Sequence, residues 1–279
     1  MECQSLLLVP AVVDDDRHGG LAEIADPDGG IITSVAGAHL EGLGTLAGVA
    51  REKGALYRNV RADGAVAVNL DDPWVRRLGS GFKGRKITYG KRGWVRALSW
   101  RLRGTQGVQF KLQAGSETCN VRLHYLGEHN INNALGAAAV ALGAGVSLAA
   151  VRRGLANARP LSMRMEVDEW NGVGIINDAY NANAASMYAA LRTLAKLPCR
   201  GRRIAVLGDM FELGKQSAKE HRQVGKAAAR AALDRLYVLG KQAPTIRRAA
   251  VAHGLRPEQV MVGKDHNDIA RQLRQELKK

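Results

Sequence analysis

From residue 161 onward the chain alternates short apolar runs with longer amphipathic stretches. Runs at 174–177, 204–207, 235–239 and 259–262 predict strands, and segments near 184–196, 216–232, 241–253 and 265–277 predict helices. Each predicted strand exits into a loop of glycine, asparagine or aspartate: N-D-A-Y-N, G-D-M, G-K-Q and G-K-D. Repeated β-α units of this kind predict an α/β domain with a doubly wound, Rossmann-like parallel sheet. The ligand crevice of such a sheet lies outside the carboxyl ends of its strands. Asn177, Asp178, Asn181, Asn183, Asp209 and Glu212 are therefore expected to face one opening. The plainer reading is two ordinary strand-to-helix turns.

Before residue 161 the pattern is less regular. It predicts a short buried strand at 31–35, a helix at 45–57 with Val49, Lys53 and Leu56 near helical spacing, and a strand at 65–70. Asp72-Pro73 is expected to close that strand, because proline cannot continue a central ladder. A basic meander follows to about Leu126, and the alternation from Trp94 to Arg103 supports strands within it. A long alanine-rich helix then runs from about Asn130 to Gly143, with Leu135, Ala138 and Ala139 on one face. A second helix at 148–156 ends near Arg159-Pro160, which reads as a linker. At 279 residues the chain is long enough for two cores, and the expected domains are 1–160 and 161–279.

Composition adds bounds. A hydrophobic content of 46% and a charged content of 24% are those of a soluble globular protein. The apolar run 6–13 lacks a basic lead and contains Pro10, so it fits neither a signal peptide nor a membrane span. Cys3, Cys119 and Cys199 are odd in number and far apart, as expected of reduced thiols in a cytoplasmic protein. The net charge of +15 is concentrated in part between Arg76 and Arg103, which hold ten Lys or Arg and no acid. With Phe82, Tyr89, Trp94 and Trp100 interleaved, this segment could serve a nucleic-acid surface. A solvated antiparallel sheet with basic outward residues is the favoured reading, and it would also suit a phosphate-rich substrate.

Three motifs carry more specific chemistry: G-E-H-N-I-N-N-A-L-G-A-A-A at 127–139, I-N-D-A-Y-N-A-N-A-A-S-M at 176–187 and V-L-G-D-M-F-E-L-G at 206–214. With S-V-A-G-A-H-L-E-G-L-G-T-L-A-G-V-A-R-E-K-G at 34–54, they resemble the Mur ligase family from about residue 20 to the end. The resemblance implies an incomplete central ATPase domain followed by a Rossmann-like carboxyl-terminal domain. It also implies a cytoplasmic, monomeric ligase that uses ATP and magnesium (Mg2+), with no membrane or nucleic-acid partner. The Y-N-A-N and G-D-M-x-E-L-G pair points to UDP-N-acetylmuramoyl-tripeptide and D-alanyl-D-alanine as substrates, joined through an acyl phosphate in peptidoglycan synthesis.

Site residues follow from the same resemblance. His39 matches the magnesium-ligand histidine, and Lys53 the lysine that carbon dioxide converts to a carbamate, although Ala55 stands where the family usually has Glu. Asn130 and Asn133 match the two asparagines that face adenine. Arg164 falls where an arginine approaches the nucleotide phosphates, with Met163 in place of the usual glycine. Asp178 matches an acid that contacts ATP at the ribose. Tyr180, Asn181 and Asn183 would line the side where the dipeptide amine arrives, Asn181 counting with Lys53 as catalytic. Asp209 and Glu212 would shape a neighbouring loop, with Asp209 contacting nucleotide or substrate.

The chain contains no G-x-x-x-x-G-K-S/T phosphate loop. The near match Gly79-Ser-Gly-Phe-Lys-Gly84-Arg-Lys86 has Arg85 at the lysine position and leads into a strand, whereas a phosphate loop opens a helix. The family's UDP-sugar domain and its V-K-G-S-R strand are not found either. The 279 residues are thus expected to be truncated at both ends and weak or inactive as a ligase. The alternatives are a non-catalytic nucleotide- or nucleic-acid-binding module using 76–103, or a nonfunctional gene remnant.

Overall fold

A computed structural model describes residues 18–36 and 40–277. By contacts the chain divides into two compact units, at Leu161 and Ser162. In the first, α1 (His18–Ala25), β1 (Gly29–Ile32), α2 (Leu40–Leu43), α3 (Leu46–Asn59), β2 (Ala65–Asn69), α4 (Pro73–Gly81) and β3 (Arg85–Tyr89) build its parallel portion. Then β4 (Val95–Leu102) joins β3 in parallel, β5 (Val108–Ala114) and β6 (Glu117–Leu123) continue the same sheet antiparallel, and α5 (His129–Gly143) and α6 (Leu148–Asn157) complete the unit. The six strands lie in chain order.

Local chemistry sets these boundaries. Thr45 caps α3 by accepting the Gly48 N–H at 3.1 Å. A-V-A-V-N in β2 is buried on both faces, as a central parallel strand requires. Helices cover both sides of the sheet. Val49, Leu56, Val66, Val68, Val75 and Phe82 pack together on the α3–α4 side, and Tyr89, Val95, Phe110, Leu112, Leu135 and Ala138 on the α5 side. Gly136 lets α5 approach the sheet, since a Cβ there would stand 2.7 Å from Ile31 Cδ1.

One expectation is corrected here. Asp72-Pro73 does more than end a strand: Pro73 occupies the first turn of α4. Its missing N–H is an orphan at that position in any helix, and Asp72 supplies the N-cap. The first two arginines of the basic segment therefore lie on a helix rather than in a meander. The segment from 79 to 86 runs from the end of α4 into β3, as its sequence suggested.

The second unit holds β7 (Glu166–Trp170), β8 (Val173–Asn177), α7 (Ala184–Lys196), β9 (Ile204–Leu207), α8 (Ser217–Ala229), β10 (Arg235–Val238), α9 (Ala243–Ala252), β11 (Val260–Val262) and α10 (His266–Glu276). β9, β10 and β11 form a parallel sheet in the order β11-β10-β9. Leu236 and Val238 face the core with Val224, Ala228, Ile246 and Ala250. Arg235 and Tyr237 alternate with them and bond Glu276 of α10, so helices lie on both faces. The α/β class stands, but β8 differs from expectation: it pairs antiparallel with β7 instead of joining the parallel sheet. The cause is the Asn171-Gly172 turn, where both residues have positive φ (49° and 77°). Such a turn matches the twist of a two-residue hairpin.

Candidate functional site

In the first unit, functional side chains gather where β1 and β2 end. Lys53, half-buried on α3, donates from Nζ to the Ser34 carbonyl at 3.0 Å. Burial pulls its pKa below the ordinary lysine value, and the Asp72 carboxylate opposes that only in part. The result is an amine more readily neutral, and hence more nucleophilic, than a surface lysine. Asp72 ties the region together, its Oδ2 accepting the Val35 N–H at 2.9 Å and its Oδ1 accepting those of Trp74 and Val75 at 2.9 and 3.0 Å. Buried Asn69 donates to the Thr33 carbonyl at 2.8 Å. Tyr57 bridges the two strands, accepting the Ile32 N–H at 3.3 Å and donating to the Ala67 carbonyl at 2.6 Å. His39 lies outside the described residues.

At the start of α5 the two predicted asparagines come together but do different work. Asn130 is buried. Its Nδ2 donates to the Leu126 carbonyl at 2.7 Å, and its Oδ1 accepts from Asn133 Nδ2 at 2.9 Å. Both ends of its amide are thus engaged within the protein, so Asn130 holds Asn133 in place. Asn133 is exposed and oriented by that bond, which leaves its carbonyl and one N–H for a ligand.

In the second unit, L-S-M-R-M meets the end of the β7–β8 hairpin. Asp178 Oδ1 accepts the Met165 N–H at 3.0 Å, and the Met163 carbonyl accepts the Tyr180 N–H at 3.1 Å. These bonds hold Met163 and Met165 at φ of 60° and 52°, a region glycine would enter without strain. They also place the Arg164 guanidinium 4.1 Å from the Tyr180 ring centroid. Partial burial raises the Asp178 pKa, while the Met165 N–H and the Arg164 charge pull it down. Tyr180 is exposed, and the exposed Asn181 side chain makes no hydrogen bond to a described residue.

Asn183 and Asp209 each hold a local backbone feature. Asn183 is the N-cap of α7: its Oδ1 accepts the Ser186 N–H at 2.9 Å, and Ser186 Oγ accepts the Asn183 N–H at 3.1 Å. Its amide nitrogen makes no hydrogen bond to a described residue and remains for a ligand. Asp209, at the end of β9, accepts the Lys241 N–H at 2.7 Å on Oδ2 and the Gln242 N–H at 3.0 Å on Oδ1. Its carboxylate thus holds the turn into α9, where Gly240 has φ of 104° and a Cβ would stand 2.5 Å from Asp209 Cγ. The first unit repeats the device, since Asp71 accepts the Lys91 N–H beside Gly90.

Sequence reading missed His221. It is fully buried on α8, where its Nε2 accepts the Met210 N–H at 2.9 Å and Nδ1 lies 2.7 Å from the Ser217 carbonyl. Those partners select the Nδ1–H tautomer and fix the G-D-M loop from below. The signal was an isolated histidine seven residues past a glycine loop, too weak to name. Among the described residues, no group of three or more His, Cys, Asp or Glu could hold a metal ion. Nor, among the described residues, is any helix long and apolar enough to cross a membrane. The basic segment is dispersed. Arg76 and Arg77 sit on α4, Arg85 donates to the Gly143 carbonyl, and Arg96 and Arg101 pair with glutamines of β5.

Residues 14–141 match the Mur ligase middle domain, and residues 163–279 match the Mur ligase, glutamate ligase domain. The chain belongs to the Mur ligase family. UDP-N-acetylmuramoyl-tripeptide--D-alanyl-D-alanine ligase of Escherichia coli (strain K12) is 36% identical to this Mur ligase chain over 229 residues, covering 80% of it and 50% of the relative. The Mycobacterium bovis protein of the same name is 40% identical over 236 residues, covering 80% and 46%. A crystal structure of MurF from Acinetobacter baumannii superposes with a TM-score of 0.85 at 28% identity, covering 95% of this chain and 56% of that one. The chain spans about half the length of the curated relatives it matches.

Proposed function

We propose that this Mur ligase chain serves the addition of D-alanyl-D-alanine to UDP-N-acetylmuramoyl-tripeptide, an ATP-dependent step of peptidoglycan synthesis. The observation that carries the reading is the Asp178–Met165 bond, which lays Arg164 across Tyr180 at the end of the hairpin. A stacked guanidinium keeps its in-plane donors pointing outward for phosphate oxygens. Relatives that bear this activity in their names, at 36% and 40% identity, support the same reading.

In the reaction, ATP transfers its γ-phosphoryl group to the tripeptide carboxylate and leaves as ADP; the dipeptide amine attacks the resulting acyl phosphate, loses a proton and expels inorganic phosphate. Asn133 presents an amide able to donate and accept along the adenine edge. Arg164 neutralises phosphate charge, and Asp178 accepts from a ribose hydroxyl. Tyr180 and Asn181 stand on the amine side, where Asn181 is the catalytic positioner. Carbon dioxide adds to the neutral Lys53 amine, and loss of a proton leaves a carbamate anion. Asn130, Asn183 and Asp209 support these groups through backbone and side-chain bonds. The magnesium requirement would rest on His39; the described residues assemble no metal site, so no step is assigned to the ion. We place the protein in the cytoplasm as a monomer, acting on small substrates rather than nucleic acid.

Because the sequence holds no phosphate loop, nucleotide binding is the decisive assay and turnover is expected to be weak. Isothermal titration with ADP should show binding that Arg164→Ala weakens about tenfold, the loss of roughly one charge-assisted contact. Equal affinity of the two proteins would refute the assignment. A phosphate-release assay with both substrates should respond to D-alanyl-D-alanine and ignore its L,L isomer.

A further inference from the structure

A groove of about 640 Å³ runs between α3 and α4. On α3, Ala47, Ala50, Arg51, Gly54 and Arg58 recur at helical spacing and form one wall; on α4, Trp74, Arg77 and Leu78 form the other. The floor is apolar and made of small residues. A Cβ at Gly54 would stand 2.7 Å from Leu78 Cδ2, so the helices are at close approach there. The rim is entirely cationic. Arg51, Arg58, Arg77 and Lys83 are all exposed, no carboxylate lines the groove, and none of the four has an ion pair with a described residue.

An apolar floor between two rows of unneutralised cations selects an occupant that is both amphipathic and anionic. We propose that this groove docks an acidic amphipathic helix of a partner protein. The dimensions fit that form: the stretch from Ala47 to Arg58 is about 16 Å long at ~1.5 Å per residue, or three helical turns. Arg51 and Arg58 are seven residues apart on one face, so they match carboxylates spaced two turns apart on the incoming helix. Trp74 and Leu78, half-buried on the α4 wall, would pack against its apolar anchors at i, i+3 and i+7. Such docking is independent of ligase chemistry, because Lys53, Asn133, Arg164 and Asp178 do not line the groove.

The test uses the 279-residue protein and a fluorescein-labelled helical peptide with Leu at i, i+3 and i+7 and Glu on both flanks, read by anisotropy. The wild-type chain should bind it saturably. Arg51→Glu with Arg58→Glu should weaken it about tenfold and should instead favour the peptide with Lys in place of Glu. Ala47→Trp should block binding by filling the exposed floor while leaving the charges in place. Melting temperatures equal to wild type would show that the variants are folded. A scrambled peptide of the same composition binding as tightly would overturn the proposal, because mere polyanion attraction would then suffice. An unchanged affinity in the double charge reversal would overturn it as well, as would concentration-dependent self-association that Ala47→Trp abolishes.

Discussion

Asp209 and Gly240 form a pair whose energetics separate a loop-holding carboxylate from a substrate ligand. Asp209→Ala removes two charge-assisted bonds, to the Lys241 and Gln242 N–H groups at 2.7 and 3.0 Å. Bonds of that type contribute roughly 1.5–3 kcal/mol each when buried. Lys241 is exposed and Gln242 half-buried, so water recovers part of the loss and about 2 kcal/mol is expected in total. Gly240→Ala has two costs. A side chain at φ of 104° is strained, by roughly 1–2 kcal/mol. The new Cβ also meets the carboxylate at 2.5 Å, and such overpacking adds about 1–3 kcal/mol. In the double variant the carboxylate is gone and only the dihedral strain remains. The two changes should therefore be non-additive by ~1–3 kcal/mol, within the range for contacting residues. Urea unfolding of the four proteins gives the cycle, and hydrogen exchange at the Lys241 amide localises it. If Asp209→Ala costs under about 0.5 kcal/mol, or if the effects add, the carboxylate does not hold this turn.

Other expectations follow from the same contacts. Burial lowers the Lys53 pKa, so between the folded and the ordinary value the unfolded chain binds more protons, and stability rises with pH. Comparing wild type with Lys53→Met from about pH 7 to about pH 10, wild type should gain relative stability as pH rises; a flat difference would refute the shift. Tyr57→Phe leaves the buried Ile32 N–H and Ala67 carbonyl without the hydroxyl and should cost about 1–3 kcal/mol by chemical denaturation. Asn133→Ala should reduce ADP affinity with stability changed by under ~0.5 kcal/mol. Asn130→Leu should destabilise by about 1–3 kcal/mol through the unpaired Leu126 carbonyl. Reversal of those two phenotypes would overturn the division of labour at α5.

How far the site was legible depended on where each side chain found its partner. Helix α5 and the β-α repeat were readable because apolar period and exit loops agree over long stretches. Arg164, Asp178 and Tyr180 were each named from the family resemblance, and the end of the β7–β8 hairpin brings their side chains close to one another. The roles of Asn130, Asn183 and Asp209 were harder to see, since the residue types that bind ligands are the same ones that cap helices. Strand β7 escaped because E-V-D-E-W is exposed and lacks a buried face, although Asn171-Gly172 marked the turn beside it.

What the sequence determined alone was chemistry bound to local pattern: the α/β class, the family motifs, and the caps and turns whose partners lie within a few residues. Such features depend on backbone propensity and near-neighbour bonds, which a linear string records. The tertiary structure decided which polar groups were already satisfied. Asp209 is committed to N–H groups 32 and 33 residues away, Lys53 is desolvated by burial beside the Ser34 carbonyl, and α3 and α4 approach closely enough to form a cationic groove. Burial and long-range hydrogen bonding depend on which segments meet, and no local spacing encodes that meeting.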